Sequence, residues 1–282
     1  MIDKNRLSKL KMIVFDVDGT LVNERDEIGE ETIKLVKRLK EFGVRFSFAS
    51  GRQHSALMHH AETLGLDSPL ISLDGTLIKS HPEGIKIYES PVPEKYVRKA
   101  IQLADQYLLK LALCHDEALY YDEQNSGVQS LLEKYGARYQ EVSSYSNYLS
   151  KTLEIVITGD YKDSIKYVNK KLNFPYSLGL RTSFYKSQTH GGIYYLEIRR
   201  KGVSKGIGLK KLCKYQKIKI KETAVLGDWF NDRSLFETKA LKIAMGNAVP
   251  EIKKMADYIL TKTFHDDGTA EFLELVLKAK KG

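Results

Sequence analysis

Lys11 to Val17 (KMIVFDV) is a nearly unbroken apolar run, the pattern of a strand covered on both faces in a parallel sheet. Apolar residues then recur at helical spacing from Glu30 to Phe42 (Ile33, Leu35, Val36, Leu39, Phe42), and Gly43 closes the run. Val44 to Ala49 (VRFSFA) reads as a second strand, Gln53 to Leu64 as a second helix ending at Gly65, and Pro69 to Leu73 as a third strand. Strand and helix in strict alternation predict a parallel α/β sheet with right-handed crossovers.

The rhythm changes at about His81. A helix over Glu94–Tyr107 is followed by strand-like segments at Leu108–Leu113 and Ala118–Tyr121, and by a helix at Gly127–Tyr135. A strand at Leu153–Thr158, a helix at Tyr161–Leu172 and strands at Leu180–Tyr185 and Ile193–Ile198 complete the stretch. Strands adjacent in sequence predict a separate, mainly antiparallel α+β unit. Short apolar strands at Thr223–Leu226 and Leu241–Ala244 then resume the alternation. The expectation is an α/β core of residues 1–82 and 198–282, interrupted by an inserted α+β domain over 83–197. DGTLV at 18–22 and DGTLI at 74–78 echo one another, but two short echoes make no repeat architecture, and the second reads as a strand-to-loop turn.

Composition narrows the class. A chain of 282 residues with 42% hydrophobic and 29% charged positions is neither disordered nor low-complexity, and is long enough to bury a large core without staples. No apolar run reaches the roughly 18 residues of a transmembrane helix, and Met12–Phe15 is too short for a signal-peptide core. The two cysteines, Cys114 and Cys213, have neither metal nor disulfide spacing. A cytoplasmic protein with no membrane contact is expected. The net charge is +9, with Arg199, Arg200, Lys201, Lys205, Lys210, Lys211, Lys214, Lys217, Lys219 and Lys221 in one block that no acid interrupts. That block reads as a nucleic-acid surface, a solvated helix face or a field for anionic phosphates. Tyr215 alone offers a stacking platform, so nucleic acid is not expected as a partner.

Four short motifs carry chemistry. Asp16 and Asp18, in DVDGT, end the first strand, where an open parallel sheet binds its ligands. Acids at i and i+2 share one side of an extended chain and repel unless a hard cation such as Mg²⁺ intervenes. A surface Asp-rich turn is the alternative, disfavoured by the buried strand before it, and an EF-hand is disfavoured because the glycine is fourth rather than sixth. Ser50-Gly51-Arg52 closes the second strand as an anion site or as an ordinary N-cap. Lys205, between Gly202 and Gly206, is either beside a backbone that approaches an anion or one more solvated lysine. Asp228, Asn231 and Asp232, in GDWFND, follow the strand Thr223–Leu226 as further acids or as a helix cap. Four carboxylates at two strand ends, with a lysine, are explained economically by a divalent metal and a phosphate.

In this order, DVDGT at 16–20, ASGR at 49–52, GVSKG at 202–206 and GDWFND at 227–232 resemble the haloacid dehalogenase superfamily of phosphatases. The insertion resembles the large α/β cap of its Cof-type branch, and Ala244–Ala248 and Asp266–Ala270 resemble that branch's closing segments. The resemblance implies a Rossmann-like core with a cap domain. It implies Asp16 as nucleophile and Asp18 as general acid, then base. Asp16, Asp18 (through its carbonyl), Asp228 and Asp232 would hold Mg²⁺ or support its shell. Ser50, Gly51, Lys205 and Asn231 would bind the phosphoryl group.

One position departs from the branch: Asp74-Gly75 stands where Asn-Gly is usual, and a carboxylate facing the site would repel phosphate. In the inserted domain His115, Lys186, His190, Gly191 and Gly192 are substrate-contact candidates with structural alternatives, and Tyr120, Tyr121, Tyr194 and Tyr195 fit a half-buried sheet. The expected activity is Mg²⁺-dependent hydrolysis of small phosphorylated metabolites, such as sugar phosphates or phosphorylated cofactors. The alternatives are a phosphomutase and a basic nucleic-acid-binding protein. The oligomeric state stays open.

Overall fold

The structure is a computed structural model and describes residues 3–125, 138–173, 179–186 and 192–282. It divides into two compact units, Met1–Gly51 with Leu57–Tyr88 and Ser204–Gly282, and Arg52–Ala56 with Glu89–Val203.

In the first unit five strands form a wholly parallel sheet: β1 (Met12–Phe15), β2 (Arg45–Phe48), β3 (Thr223–Gly227), β4 (Leu241–Ala244) and β5 (Tyr258–Ile259), in the order β5-β4-β3-β1-β2. β1 is central, and all four of its residues are buried, which is why it reads as a continuous apolar run. The register pairs Phe15 with Leu226 on one side and with Phe48 on the other. The carboxyl ends of β1, β2 and β3 therefore stop level, and the residues after them share one edge.

Helix α1 (Glu30–Glu41) turns Thr32, Leu35, Val36 and Leu39 inward and carries Glu30 and Glu31 in its first turn, where the helix dipole favours acids. Its N-terminus is tied to the far end of the chain. Asp267 accepts from the Thr32 amide (3.1 Å) and hydroxyl (2.5 Å), so the segment after Asp266 is an anchor for α1. A Cβ on Gly29 would lie 2.0–2.3 Å from that carboxylate, so the anchor requires glycine there.

The third strand is Leu70–Ser72, and it differs from the expectation of a further full parallel strand. One parallel bridge, Ala49 to Ile71, joins it to the edge of β2. It then turns back through Leu73–Gly75 onto an antiparallel strand, Leu77–Lys79, which with Lys86–Glu89 makes a three-stranded sheet. The helix expected over Gln53–Leu64 is a 3₁₀ turn (His54–Leu57) followed by an α-helix (Met58–Thr63).

The second unit holds a six-stranded sheet with the order Leu180–Lys186, Tyr194–Arg200, Glu154–Gly159, Lys110–Cys114, Leu119–Tyr121 and Tyr139–Glu141. All its pairings are antiparallel except the last. The helices Glu94–Gln106 and Lys162–Asn173 supply Val97, Ala100, Leu103, Ile165 and Val168 to one core with Leu111, Leu113, Ile155, Ile157, Leu196 and Ile198. Alternation along the same strands puts Ala112, Cys114, Val156 and Tyr195 in a separate small cluster, on the opposite face. Arg199, at the end of that face, pairs with Glu154 (3.0 Å) and Glu197 (3.1 Å), all three buried. The helix expected over 127–135, and His190 and Gly191, lie outside the described residues. Among the described residues no helix is long and apolar enough to cross a membrane.

Candidate active site

Asp16 is the first residue beyond β1, and its amide donates to Leu226 O (3.0 Å), which continues the β1–β3 ladder and fixes the start of the loop. Gly19 has φ +74°, and a Cβ there would lie 2.5 Å from Asp228 Oδ2; only glycine lets this loop pass so close to that carboxylate. Asp228 begins the loop after β3. The amides of Asp228 (3.0 Å) and Trp229 (3.3 Å) donate to Asp232 Oδ2, so the GDWFND turn closes on its own last carboxylate. Gly227 is required as well, since a Cβ would meet Asp232 Oδ2 at 2.5 Å.

These loops bring Asp16, Asp228 and Asp232 into one buried cluster, with one carboxylate oxygen from each within 4.8 Å of the others. Lys205 is the counter-charge. Wholly buried at the first turn of helix α2 (Lys205–Gln216), it donates from Nζ to Asp16 Oδ1 (2.6 Å) and Asp232 Oδ1 (2.7 Å). Ser204 caps the helix by accepting from the Ile207 amide (3.2 Å), which sets the direction of the Lys205 side chain.

The electrostatics follow from this crowding. Burial pushes the Asp16 carboxyl well above its usual range, Asp232 adds to the shift, and Lys205 opposes it. Asp228 is pushed up to about 7, by burial first and Asp232 second. Burial alone would lower the Lys205 pKa, but Asp16, Asp232 and Asp74 outweigh it and hold the ammonium firmly protonated. Three buried carboxylates around one ammonium leave a net negative, all-oxygen donor set. That set fits a hard divalent cation such as Mg²⁺.

Of the other expected residues, Asp18 is exposed and its carboxylate stands outside the buried triad, although close enough to Asp228 to raise its pKa. Ser50 is buried beyond β2; its amide donates to Ile71 O and its carbonyl accepts from the Asp74 amide, both at 2.9 Å. A Cβ on Gly51 would lie 3.4 Å from Asp74 Oδ1 and 3.9 Å from Asn231 Nδ2, so Gly51, Asp74 and Asn231 converge. Of the glycines flanking Lys205, Gly206 serves helix–loop packing, since a Cβ there would strike Ser234 O at 2.0 Å, whereas a Cβ on Gly202 would meet no atom within 4 Å. The basic block also splits: Lys205 and Arg199 are buried in ion pairs, whereas Lys210, Lys214, Lys217, Lys219 and Lys221 are a solvated surface.

Two supporting residues had no role in the sequence reading. Thr20 Oγ1 donates to Asp228 Oδ1 (3.2 Å). Asn247 Nδ2 donates to Asp228 Oδ2 (3.2 Å) and Gly19 O (2.8 Å), while its Oδ1 accepts from the Phe264 amide (3.2 Å). Asn247 thus ties both acidic loops to the C-terminal segment; its position just past β4, in AMGNA, was the available signal.

The family model for haloacid dehalogenase-like hydrolases matches residues 13–273, nearly the whole chain. The chain belongs to that family. Among its relatives, the HMP-PP phosphatase of Escherichia coli is 25% identical over 86% of each chain. Phosphatase YwpJ of Bacillus subtilis is 25% identical over 95% of this chain and all of its own. Among solved structures, a haloacid dehalogenase-like hydrolase from Bacteroides thetaiotaomicron superposes with a TM-score of 0.82 at 26% identity, over 94% of this chain and 98% of its own. In this hydrolase the acidic triad and the buried lysine lie at the carboxyl edge of the parallel sheet.

Proposed function

We propose that this hydrolase is a Mg²⁺-dependent phosphatase of small phosphorylated metabolites, sugar phosphates or phosphorylated cofactors, acting through an aspartyl-phosphate on Asp16. Phosphatase activity itself is what the family and the shared description of its relatives support. The observation that carries the finer reading is the Lys205 ammonium held between Asp16 and Asp232 beside Asp228. A carboxylate nucleophile needs its charge compensated before it can approach a phosphoryl dianion, and this arrangement does that within hydrogen-bond distance.

Asp16 attacks phosphorus through a carboxylate oxygen, and the bond from phosphorus to the ester oxygen breaks. Asp18, exposed at the same loop, protonates the leaving oxygen and then takes a proton from the water that hydrolyses the acyl phosphate. Lys205 holds Asp16 in place and neutralises an equatorial phosphoryl oxygen, while Ser50, Gly51 and Asn231 bind the others. Asp16, Asp228 and Asp232, with the Asp18 carbonyl, would hold the cation, which when bound neutralises carboxylate and phosphoryl charge. Thr20 and Asn247 keep Asp228 in position. The test is phosphate release from a panel of phosphorylated metabolites in Mg²⁺ and in EDTA. Release that persists in EDTA would refute the metal requirement, and no release from any compound would refute the substrate class.

A further inference from the structure

The turn that carries Asp74 is strained. Leu73 (φ 47°), Asp74 (φ 50°) and Gly75 (φ 93°) all have left-handed backbone, a conformation that a leucine rarely adopts. Three features hold it: the Asp74 amide donates to Ser50 O (2.9 Å), the Thr76 amide donates to Leu73 O (3.0 Å), and Gly75 lies against the Ser204 carbonyl. The result is a carboxylate that is almost fully buried and directed at the Ser50–Gly51 turn, with Oδ1 accepting from Asn231 Nδ2 (3.3 Å).

That placement has two consequences. Because a carboxylate only accepts, Asn231 must turn its amide nitrogen towards Asp74, which takes up one of the two hydrogens it could offer a phosphoryl oxygen. Asp74 also adds a negative charge to a rim already carrying Asp16, Asp228 and Asp232 against Lys205.

We propose that Asp74 sets the anion affinity of the site. Its carboxylate weakens the binding of free phosphate dianion, so that the product of hydrolysis leaves readily and inhibits little. The inference rests on the reading of Ser50, Gly51, Lys205 and Asn231 as the phosphate cradle. Asp74 takes no part in bond making; it acts by charge and by the orientation it imposes on Asn231.

The test is calorimetric titration of inorganic phosphate, with Mg²⁺ present, into the wild-type protein, Asp74→Asn and Asp74→Gly. Asparagine is isosteric and glycine suits the left-handed backbone, so one variant still reports if the other fails to fold. The expected result is phosphate binding at least about tenfold tighter in both, as removal of one short-range repulsion at partial screening gives. The inhibition constant of phosphate should fall in parallel. The exposed Asp67→Asn, a charge change elsewhere, should leave the affinity unchanged. Equal or weaker phosphate binding in the Asp74 variants would overturn the proposal and leave the residue as scaffolding for Asn231. No phosphate binding by wild type and variants alike would overturn the cradle itself, and the proposal with it.

Discussion

Replacing Asp228 by asparagine should stabilise the metal-free protein while removing its activity. Asp228 is buried and its pKa is raised from 3.8 to about 7, chiefly by burial and then by Asp232. Because the folded pKa lies above the unfolded one, the folded state keeps a proton that the unfolded chain has lost. Stability therefore falls as pH rises through the interval from about 4 to about 7, then levels. At 1.36 kcal/mol per pH unit the full penalty at pH 8 is about 4 kcal/mol. Asparagine carries no such penalty and can keep both hydrogen bonds of the carboxylate. Its oxygen can accept from Asn247 Nδ2, and its nitrogen can donate to the Thr20 hydroxyl, which then acts as acceptor. Exchanging two charge-assisted bonds for neutral ones returns about 1–2 kcal/mol. A net gain of about 2 kcal/mol, or roughly 4–8 °C in Tm, is expected in EDTA at pH 8. At pH 4, close to the unfolded pKa, the penalty falls below about 1 kcal/mol and the gain should all but vanish. Saturating Mg²⁺ should reverse the order, since only the wild type retains all three carboxylates. Thermal melts at pH 4 and 8, with EDTA and with Mg²⁺, are sufficient to read this. A lower Tm for Asp228→Asn in EDTA at pH 8, or a gain independent of pH, would refute the reasoning.

Other consequences concern the supports of the site. Gly75→Ala places a Cβ 2.2 Å from Ser204 O at φ +93°, and should cost about 2–4 kcal/mol by urea unfolding. An unchanged midpoint would contradict the packing. Asp267→Ala removes the cap on α1 and should lower stability by about 1–2 kcal/mol while leaving the Mg²⁺ requirement as it was. Asn247→Ala withdraws a donor from Asp228 and should raise the Mg²⁺ concentration for half-maximal activity about 10–100-fold; an unchanged Mg²⁺ dependence would show that Thr20 suffices.

Residues whose placement follows from local pattern were legible in the sequence. β1 announces itself because both its faces are covered, and Asp16 follows at its carboxyl end, where a parallel sheet exposes loop residues. The hairpin at Leu77–Lys79 and Lys86–Glu89 was not legible, because its strands are three and four residues long and contain Lys79, Lys86 and Glu89. Asp74 could be recognised as unusual but not placed, since its direction depends on a left-handed backbone held by Ser50. Asn247 meets Gly19 across 228 positions of sequence, a proximity set only by the order of the sheet. Gly206 was read towards an anion, whereas the closeness it permits is to Ser234. For Asp74, Asn247 and Gly206 the missing information was tertiary.

The central claim is that Asp16 becomes phosphorylated. The most direct measurement is rapid acid quenching during turnover of a ³²P-labelled phosphomonoester, followed by hydroxylamine treatment of the precipitated protein. The account predicts label on the wild-type protein that hydroxylamine releases, as it does from an acyl phosphate, and none on Asp16→Asn. Steady turnover with no protein-bound label, or turnover that persists in Asp16→Asn, would contradict it.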